Sequence, residues 1–243
     1  MMGLTGILCA SDTELEPFLK RMKIEETIEK AMLKFYRGII EKAKVVAVYS
    51  GVCKVNAAIA AQLLIDQFHV ERIINAGTAG GMSREAGLFD TIVGKYTCYH
   101  DVDPDILTDF HPWMESAEFP ADQELLERMK EQSALLAYPI RFGKIVTGEQ
   151  FIEEENRSEI NRKFAPLAVD MESASIAHVC YVNQIPFLSV RTITDTEEHV
   201  GVQNFEQNCE KASEICAEVV TGLIAKIGFR GLESSSIEIT GNL

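Results

Sequence analysis

Short apolar runs alternate with amphipathic stretches along nearly the whole chain. Residues 4–9 are apolar and stop at small and polar positions, and residues 13–22 follow with Leu15, Phe18, Leu19 and Met22 at helical spacing. The chain therefore opens as strand, loop, helix. Residues 44–49 are rich in β-branched side chains and close at Ser50-Gly51, residues 57–68 are good helix formers, and residues 72–75 form a second buried strand. These three predict a βαβ unit, whose right-handed crossover sets both strands in one parallel sheet. Residues 91–99 read as a strand, 122–134 as a helix, 140–146 as a strand and 153–164 as a charged surface helix. The pattern then repeats with a strand at 167–171, a helix at 173–183, an apolar strand at 187–193 and a closing helix at 205–227. Residues 101–120 carry prolines, acids and Trp113 without a sustained period, which predicts a long functional loop. The expectation is one α/β domain over residues 1–228, with a mixed, twisted central sheet flanked by helices and a polar tail at 229–243.

Composition narrows the functional classes. The 243 residues include 23 basic and 37 acidic side chains, a formal net charge of −14, which argues against nucleic acid as a partner because such binders need clustered positive charge. Hydrophobic residues make up 47% and charged residues 25%, as in a globular protein with a real core. No apolar run approaches the roughly 18 to 20 residues that span a bilayer, so no membrane association is expected. The first basic residue is Lys20 and no signal-peptide pattern precedes it, which predicts a cytoplasmic protein. The six cysteines contain no Cys-x-x-Cys pair and no zinc-ligand spacing with histidine, so reduced, mostly buried thiols and no metal are expected.

In open α/β sheets ligands collect beyond the carboxyl ends of strands, which directs attention to four segments. Ser11-Asp12-Thr13-Glu14 follows the first strand, Asn75-Ala76-Gly77-Thr78-Ala79-Gly80-Gly81 the third, Asp170-Met171-Glu172-Ser173 the sixth and Thr192-Ile193-Thr194-Asp195-Thr196 the seventh. Taken alone, Glu14 is equally a first-turn acid favoured by the helix dipole, and Asp195 an N-cap or Asx-turn residue. Glu172 is harder to explain as structure, because it ends an apolar strand where a carboxylate is costly unless it binds something. The Gly-rich segment reads as a strand-to-helix turn that admits a ligand to the backbone, but it is neither Gly-x-Gly-x-x-Gly nor a P-loop.

Six strings in consistent order carry more weight than any one. They are Ser50-Gly51-Val52 with Lys54-Val55-Asn56-Ala57-Ala58; Asn75 to Gly81; Tyr99-His100-Asp101-Val102-Asp103; Thr147-Gly148 to Phe151-Ile152; Val169-Asp170-Met171-Glu172-Ser173 with Ile176-Ala177; and Val190-Arg191-Thr192-Ile193-Thr194-Asp195. Together they resemble the nucleoside phosphorylase and nucleosidase superfamily, and within it most closely the bacterial 5′-methylthioadenosine/S-adenosylhomocysteine nucleosidases, over residues 4–227.

The resemblance implies a nucleoside phosphorylase-like fold, hydrolysis of 5′-substituted adenine nucleosides to adenine and a 5-substituted ribose, no cofactor, and a homodimer. It implies that Glu14 activates the attacking water, that Asp195 serves purine N7 and the exocyclic amine, and that Glu172 holds the ribose hydroxyls with Met171 against the sugar. Phe151 stacks on adenine in this scheme and the Ile152 backbone reads its edge. Phe205 forms part of the wall around the 5′ substituent, Val52 is a further substrate-binding position, and Thr78 and Arg191 lie against or just behind the substrate. Leu107 and Phe110 are candidates for the neighbouring subunit's pocket, although Leu107 stands where the family has an aromatic. Ser11, where relatives often have Met, and Cys53, in place of the usual Gly, are further departures. They leave methylthio, homocysteinyl, plain 5′-deoxy and larger 5′ groups open.

The chemistry requires such residues. Breaking an N-glycosidic bond builds positive charge on the sugar and negative charge on the departing purine, so a proton donor with a raised pKa and an ionised base are both needed. A phosphorolytic member of the superfamily is the alternative, and it needs positive side chains to hold phosphate. The loop at 9–14 has no Arg or Lys, and Asn75-Ala76 occupies the place where related phosphorylases carry Arg. An inactive nucleoside-binding protein is a further alternative, since fold alone does not imply activity.

Overall fold

In the computed structural model, which describes residues 3–152, 154–196 and 202–237, strand periodicity divides the molecule between two faces of one sheet. β1 (Thr5–Cys9) leads through Ser11 into α1 (Asp12–Arg21), and a hairpin of β2 (Lys23–Lys30) and β3 (Leu33–Ile40) runs on into β4 (Ala43–Tyr49). α2 (Lys54–Asp66) then crosses to β5 (Arg72–Gly81). β1 pairs in parallel with both β4 and β5, so the expected βαβ crossover exists with β1 between its two strands. Along these strands Ile7, Cys9, Val45 and Ala47 face one core, and Leu8, Val46 and Val48 face the other, the two-residue alternation of a strand buried on both sides.

The second half comprises β6 (Thr91–Tyr99), α3 (Pro104–Asp109), β7 (Glu118–Pro120), α4 (Gln123–Ser133), β8 (Ile140–Thr147), α5 (Glu154–Phe164), β9 (Ala168–Asp170), α6 (Ser173–Asn183), β10 (Phe187–Asp195) and α7 (Val202–Ile237). The core containing Leu15, Phe18, Leu125, Met129, Val220 and Leu223 joins α1, α4 and α7 on one side. The opposite core packs α2 and α6 through Ala60, Ala61, Leu64, Ile176 and Ala177. No described helix is long and apolar enough to cross a membrane.

Three expectations need correction. The sheet is not open throughout: β5 pairs with β10, β10 with β6, β6 with β8, β8 with β9, and β9 again with β5, so five strands close a ring. Ala79, Ile92, Ile145, Ala168 and Ile193, one from each of these strands, form its apolar interior. Secondly, residues 75–81 are not a turn but the second half of β5, and the glycines serve close packing instead. A Cβ at Gly77 would overlap Glu14 Oε1 and Arg191 Nη1, so only glycine admits those two side chains at that level. Thirdly, the long loop contains α3 and β7. α7 runs as helix to Ile237, into the segment expected as a polar tail. Residues 238–243 of that tail lie outside the described residues.

Candidate active site

The ring and the parallel strands meet around a cavity of about 250 Å³. Glu14 enters it from the first turn of α1. Its Oε2 accepts the backbone N–H of Ala10 (2.7 Å) and Ser11 (3.3 Å), completing a capping box with the Ser11 hydroxyl. Its Oε1 accepts both the backbone N–H (2.7 Å) and the hydroxyl (2.8 Å) of Thr78, in the middle of β5. The cap therefore immobilises one oxygen of this acid and Thr78 holds the other.

Glu172 stands between β9 and α6, 3% exposed. Its Oε1 accepts the backbone N–H of Cys53 at 3.0 Å, and its Oε2 faces Arg191 Nη2 at 3.4 Å. It cannot cap α6 with its own side chain; Asp170 does so, Oδ1 accepting Ser173 N–H at 3.1 Å and Glu172 N–H at 3.3 Å. Burial raises the Glu172 carboxyl to about 7, opposed by Arg191 and reinforced by Asp170 and Glu14.

Asp195 ends β10 just after an irregularity in its pairing with β5, between Ile193 and Asp195. Such a break in register re-aims a side chain, and here it turns the carboxylate into the cavity. Burial raises the Asp195 pKa, against smaller opposing effects of the Thr194 hydroxyl, 2.9 Å from Oδ1, and of Arg157.

Beneath the cavity floor lies Arg191, 0% exposed. Nε meets Asp170 Oδ2 at 2.9 Å, Nη2 donates to Asn75 Oδ1 at 2.7 Å, and Nη1 stands 3.8 Å from Glu14 Oε1. Burial would lower its pKa, but Asp170, Glu172 and Glu14 outweigh that and raise it above its ordinary value, so it stays charged.

Of the residues singled out from sequence, Glu14, Val52, Thr78, Phe151, Ile152, Met171, Glu172, Asp195 and Phe205 all line this one cavity. Phe151 and Phe205 approach edge to face, with ring centroids 6.2 Å apart, forming an aromatic wall. Arg191 does not line it and acts from behind the carboxylates. Leu107 packs into its own chain's core beside α2 and α6, while Phe110 is 64% exposed, and neither reaches the cavity. Gln150 and Asp170, which fall within the segments singled out but were given no role of their own, also line it. An acid at the end of an apolar strand, two residues before Glu172, was the available signal for Asp170. The His100 ring packs so close to Gly148 that a Cβ there would overlap it, and Asp101 pairs with Lys54 at 3.0 Å.

The family model of the phosphorylase superfamily matches residues 5–225. The 5′-methylthioadenosine/S-adenosylhomocysteine nucleosidase of Oceanobacillus iheyensis is 34% identical over 227 residues, covering 91% of this chain and 99% of the relative. That of Staphylococcus saprophyticus is 34% identical over 229 residues, covering 92% and 100%. The chain belongs to this nucleosidase family, within the phosphorylase superfamily. Among solved structures, the nucleosidase of Colwellia psychrerythraea in complex with adenine superposes with a TM-score of 0.86 at 28% identity, over 93% of this chain and 96% of that one. The futalosine hydrolase of Helicobacter pylori matches with a TM-score of 0.84 at 25% identity, over 93% and 99%. The nucleosidase fold is thus shared with a hydrolase whose name records a different nucleoside.

Proposed function

We propose that this protein hydrolyses the N-glycosidic bond of 5′-substituted adenine nucleosides, such as 5′-methylthioadenosine and S-adenosylhomocysteine, releasing adenine and the 5-substituted ribose. The observation that carries this reading is the convergence of Glu14, Glu172 and Asp195 on one apolar-walled cavity containing an aromatic pair. Glu14, held by four hydrogen bonds, takes the proton of the attacking water. Glu172 accepts hydrogen bonds from the ribose hydroxyls, and its negative charge favours the oxocarbenium-like transition state. Asp195, its pKa raised by burial, delivers a proton to purine N7. A 6-amino group adds a donor to Asp195 that a 6-oxo purine lacks, so adenine is preferred to hypoxanthine.

Water rather than phosphate is the nucleophile. Among the described residues, no arginine, lysine or histidine lines the cavity, and Arg191 behind it is already shared by three carboxylates. A dianion placed opposite Glu14 without its own cation would be repelled by several kcal/mol, in order of magnitude. The protein acts in the cytoplasm as a homodimer. Val55 and Ile59 on α2 and Val52 just ahead of it present exposed apolar surface, and Val52 also lines the cavity, which supports a partner seated at its mouth.

The test is adenine release from 5′-methylthioadenosine by the purified protein with and without phosphate, with the sugar product identified. Equal release with free 5-methylthioribose is expected. Release that requires phosphate and yields a sugar 1-phosphate would assign phosphorolysis instead. No release from this or other 5′-substituted adenosines would leave a nucleoside-binding protein.

A further inference from the structure

One buried guanidinium serves three buried carboxylates in this site, and the way it is divided among them is set by the one that faces the cavity least directly. Arg191 gives its shortest ionic contact, 2.9 Å from Nε, to Asp170 Oδ2. Its two terminal nitrogens reach Glu172 at 3.4 Å and Glu14 at 3.8 Å, distances at which orientation decides the strength of the interaction. Asp170 is itself over-determined. Oδ1 accepts the Thr147 hydroxyl at 2.6 Å and the backbone N–H groups of Ser173 and Glu172, and Oδ2 also accepts the Ser173 hydroxyl. Thr147 in turn accepts the Ala174 N–H at 2.9 Å, so the first turn of α6 hangs from Asp170 and its partner. The same carboxylate therefore fixes both the plane of the guanidinium and the backbone from which Glu172 projects.

We propose that Asp170 is a positioning residue of the reaction: by holding Arg191 Nε and capping α6 with one carboxylate, it divides the guanidinium between Glu14 and Glu172 and keeps the sugar-binding acid in place. This role rests on the hydrolytic reading above, because it assumes that Glu172 works as an acceptor for the sugar. The groups facing Glu172 are Arg191 from β10, Asp170 from β9, Glu14 from α1, and the Cys53 N–H ahead of α2, with Glu149 hydrogen-bonded to the Cys53 thiol. Removing the charge of Asp170 removes a like charge from Glu172 and frees Arg191 to pair with it more fully. Both changes favour the ionised form, so the titration of Glu172 moves to lower pH.

The test reads Glu172 directly, by ¹³C NMR titration of its carboxyl in the ligand-free protein, assigned by the signal lost in Glu172→Gln, alongside adenine release from 5′-methylthioadenosine. In Asp170→Asn the midpoint is expected to fall by about one pH unit, with kcat lowered at least about tenfold through misplacement of Glu14 and Glu172. Asp170→Glu keeps the charge and is expected to return the midpoint to that of the parent. An unmoved midpoint in Asp170→Asn, with turnover lost all the same, would reduce Asp170 to a structural cap and overturn the proposal. A midpoint in Asp170→Glu as low as that expected for Asp170→Asn would also overturn it, and this variant alone decides should Asp170→Asn not fold. If the parent protein releases no adenine, the hydrolytic reading fails while the Glu172 midpoint still decides the electrostatic role of Asp170.

Discussion

Side chain by side chain, the site works by opposing environments. Asp195 is pushed toward its neutral form by burial, and its nearest hydroxyl and Arg157 only partly offset that. As the proposed general acid it must be protonated, so activity is expected to fall as pH rises through this raised pKa. Asp195→Asn is expected to lower kcat for adenine release about a hundredfold or more, the scale of general-acid effects, and to remove that alkaline limb. A pH–rate profile of the variant checks both. In the proposed reaction Glu172 makes the opposite demand, since there it is ionised to serve the sugar while burial holds it near 7. Between about pH 4.5, the unfolded carboxyl value, and 7, the folded protein holds a proton there that the unfolded chain has released, so stability declines as pH rises through this window. Glu172→Gln has no such titration. Relative to the parent it should gain on the order of 2 kcal/mol between pH 5 and pH 8 in urea unfolding while losing most activity, because an ionisable group kept for function weakens the fold. Equal differences at the two pH values would refute the assignment. The three acids were legible because each follows a strand. Asp170 and the depth of Arg191 were not, since a sequence places a residue along the chain but does not show that four charges share one buried volume.

Among the elements, the outcome turned on whether the local pattern carried its own signal. The strand at β1, the helices α1, α2, α4 and α6 and the strands β6 and β8 have periodic apolar faces or caps and lie where the pattern placed them. The β2–β3 hairpin went unread. β2 is Lys-Ile-Glu-Glu-Thr-Ile-Glu-Lys and is exposed along nearly its whole length, so no buried face imposes a two-residue period. Its turn is equally silent. Lys30 pairs with Leu33 across Ala31 and Met32, which adopt φ of 52° and 62°, the geometry of a two-residue type I′ turn that Asn-Gly normally announces. Neither residue is suited to that backbone. The double variant Ala31→Asn with Met32→Gly should raise stability by about 1 kcal/mol without changing kcat, since neither residue lines the cavity. Denaturant unfolding measures the gain, and a loss of stability would show that the turn does not hold this form. The Gly-rich half of β5 misled in the other direction: glycine usually marks a turn, but here small residues let three side chains pack against a strand from the cavity side.

At the scale of the whole molecule, closure of the ring and the apolar stripe on α2 bear on the same question, namely what completes the cavity. The ring gives the site a rigid floor, because β5 is paired on both edges and contributes to the ring's apolar interior. Val52 lines the cavity and yet stands exposed at its edge, where the apolar surface begins. Val52 stands two residues ahead of α2, and Val55 and Ile59 follow at a spacing of four on one face of the helix, at 48%, 68% and 44% exposure. Ile106, Phe110 and Trp113, on and after α3, add further exposed apolar surface at 55%, 64% and 63%. A monomer with a net charge of −14 would gain from burying such a surface only against a matching apolar one, and a two-fold axis supplies an identical partner face. Val55→Asp places a charge at the centre of the stripe but outside the cavity lining. If two copies pair through this face, the variant should sediment as a monomer at micromolar concentration. Its KM for 5′-methylthioadenosine should also rise at least about tenfold, the effect of losing binding contacts rather than chemistry, with the larger loss for substrates bearing larger 5′ groups. A monomeric variant with unchanged KM would separate assembly from catalysis. A variant that remains dimeric would move the interface away from α2 and leave the mouth of the cavity to the chain's own segments.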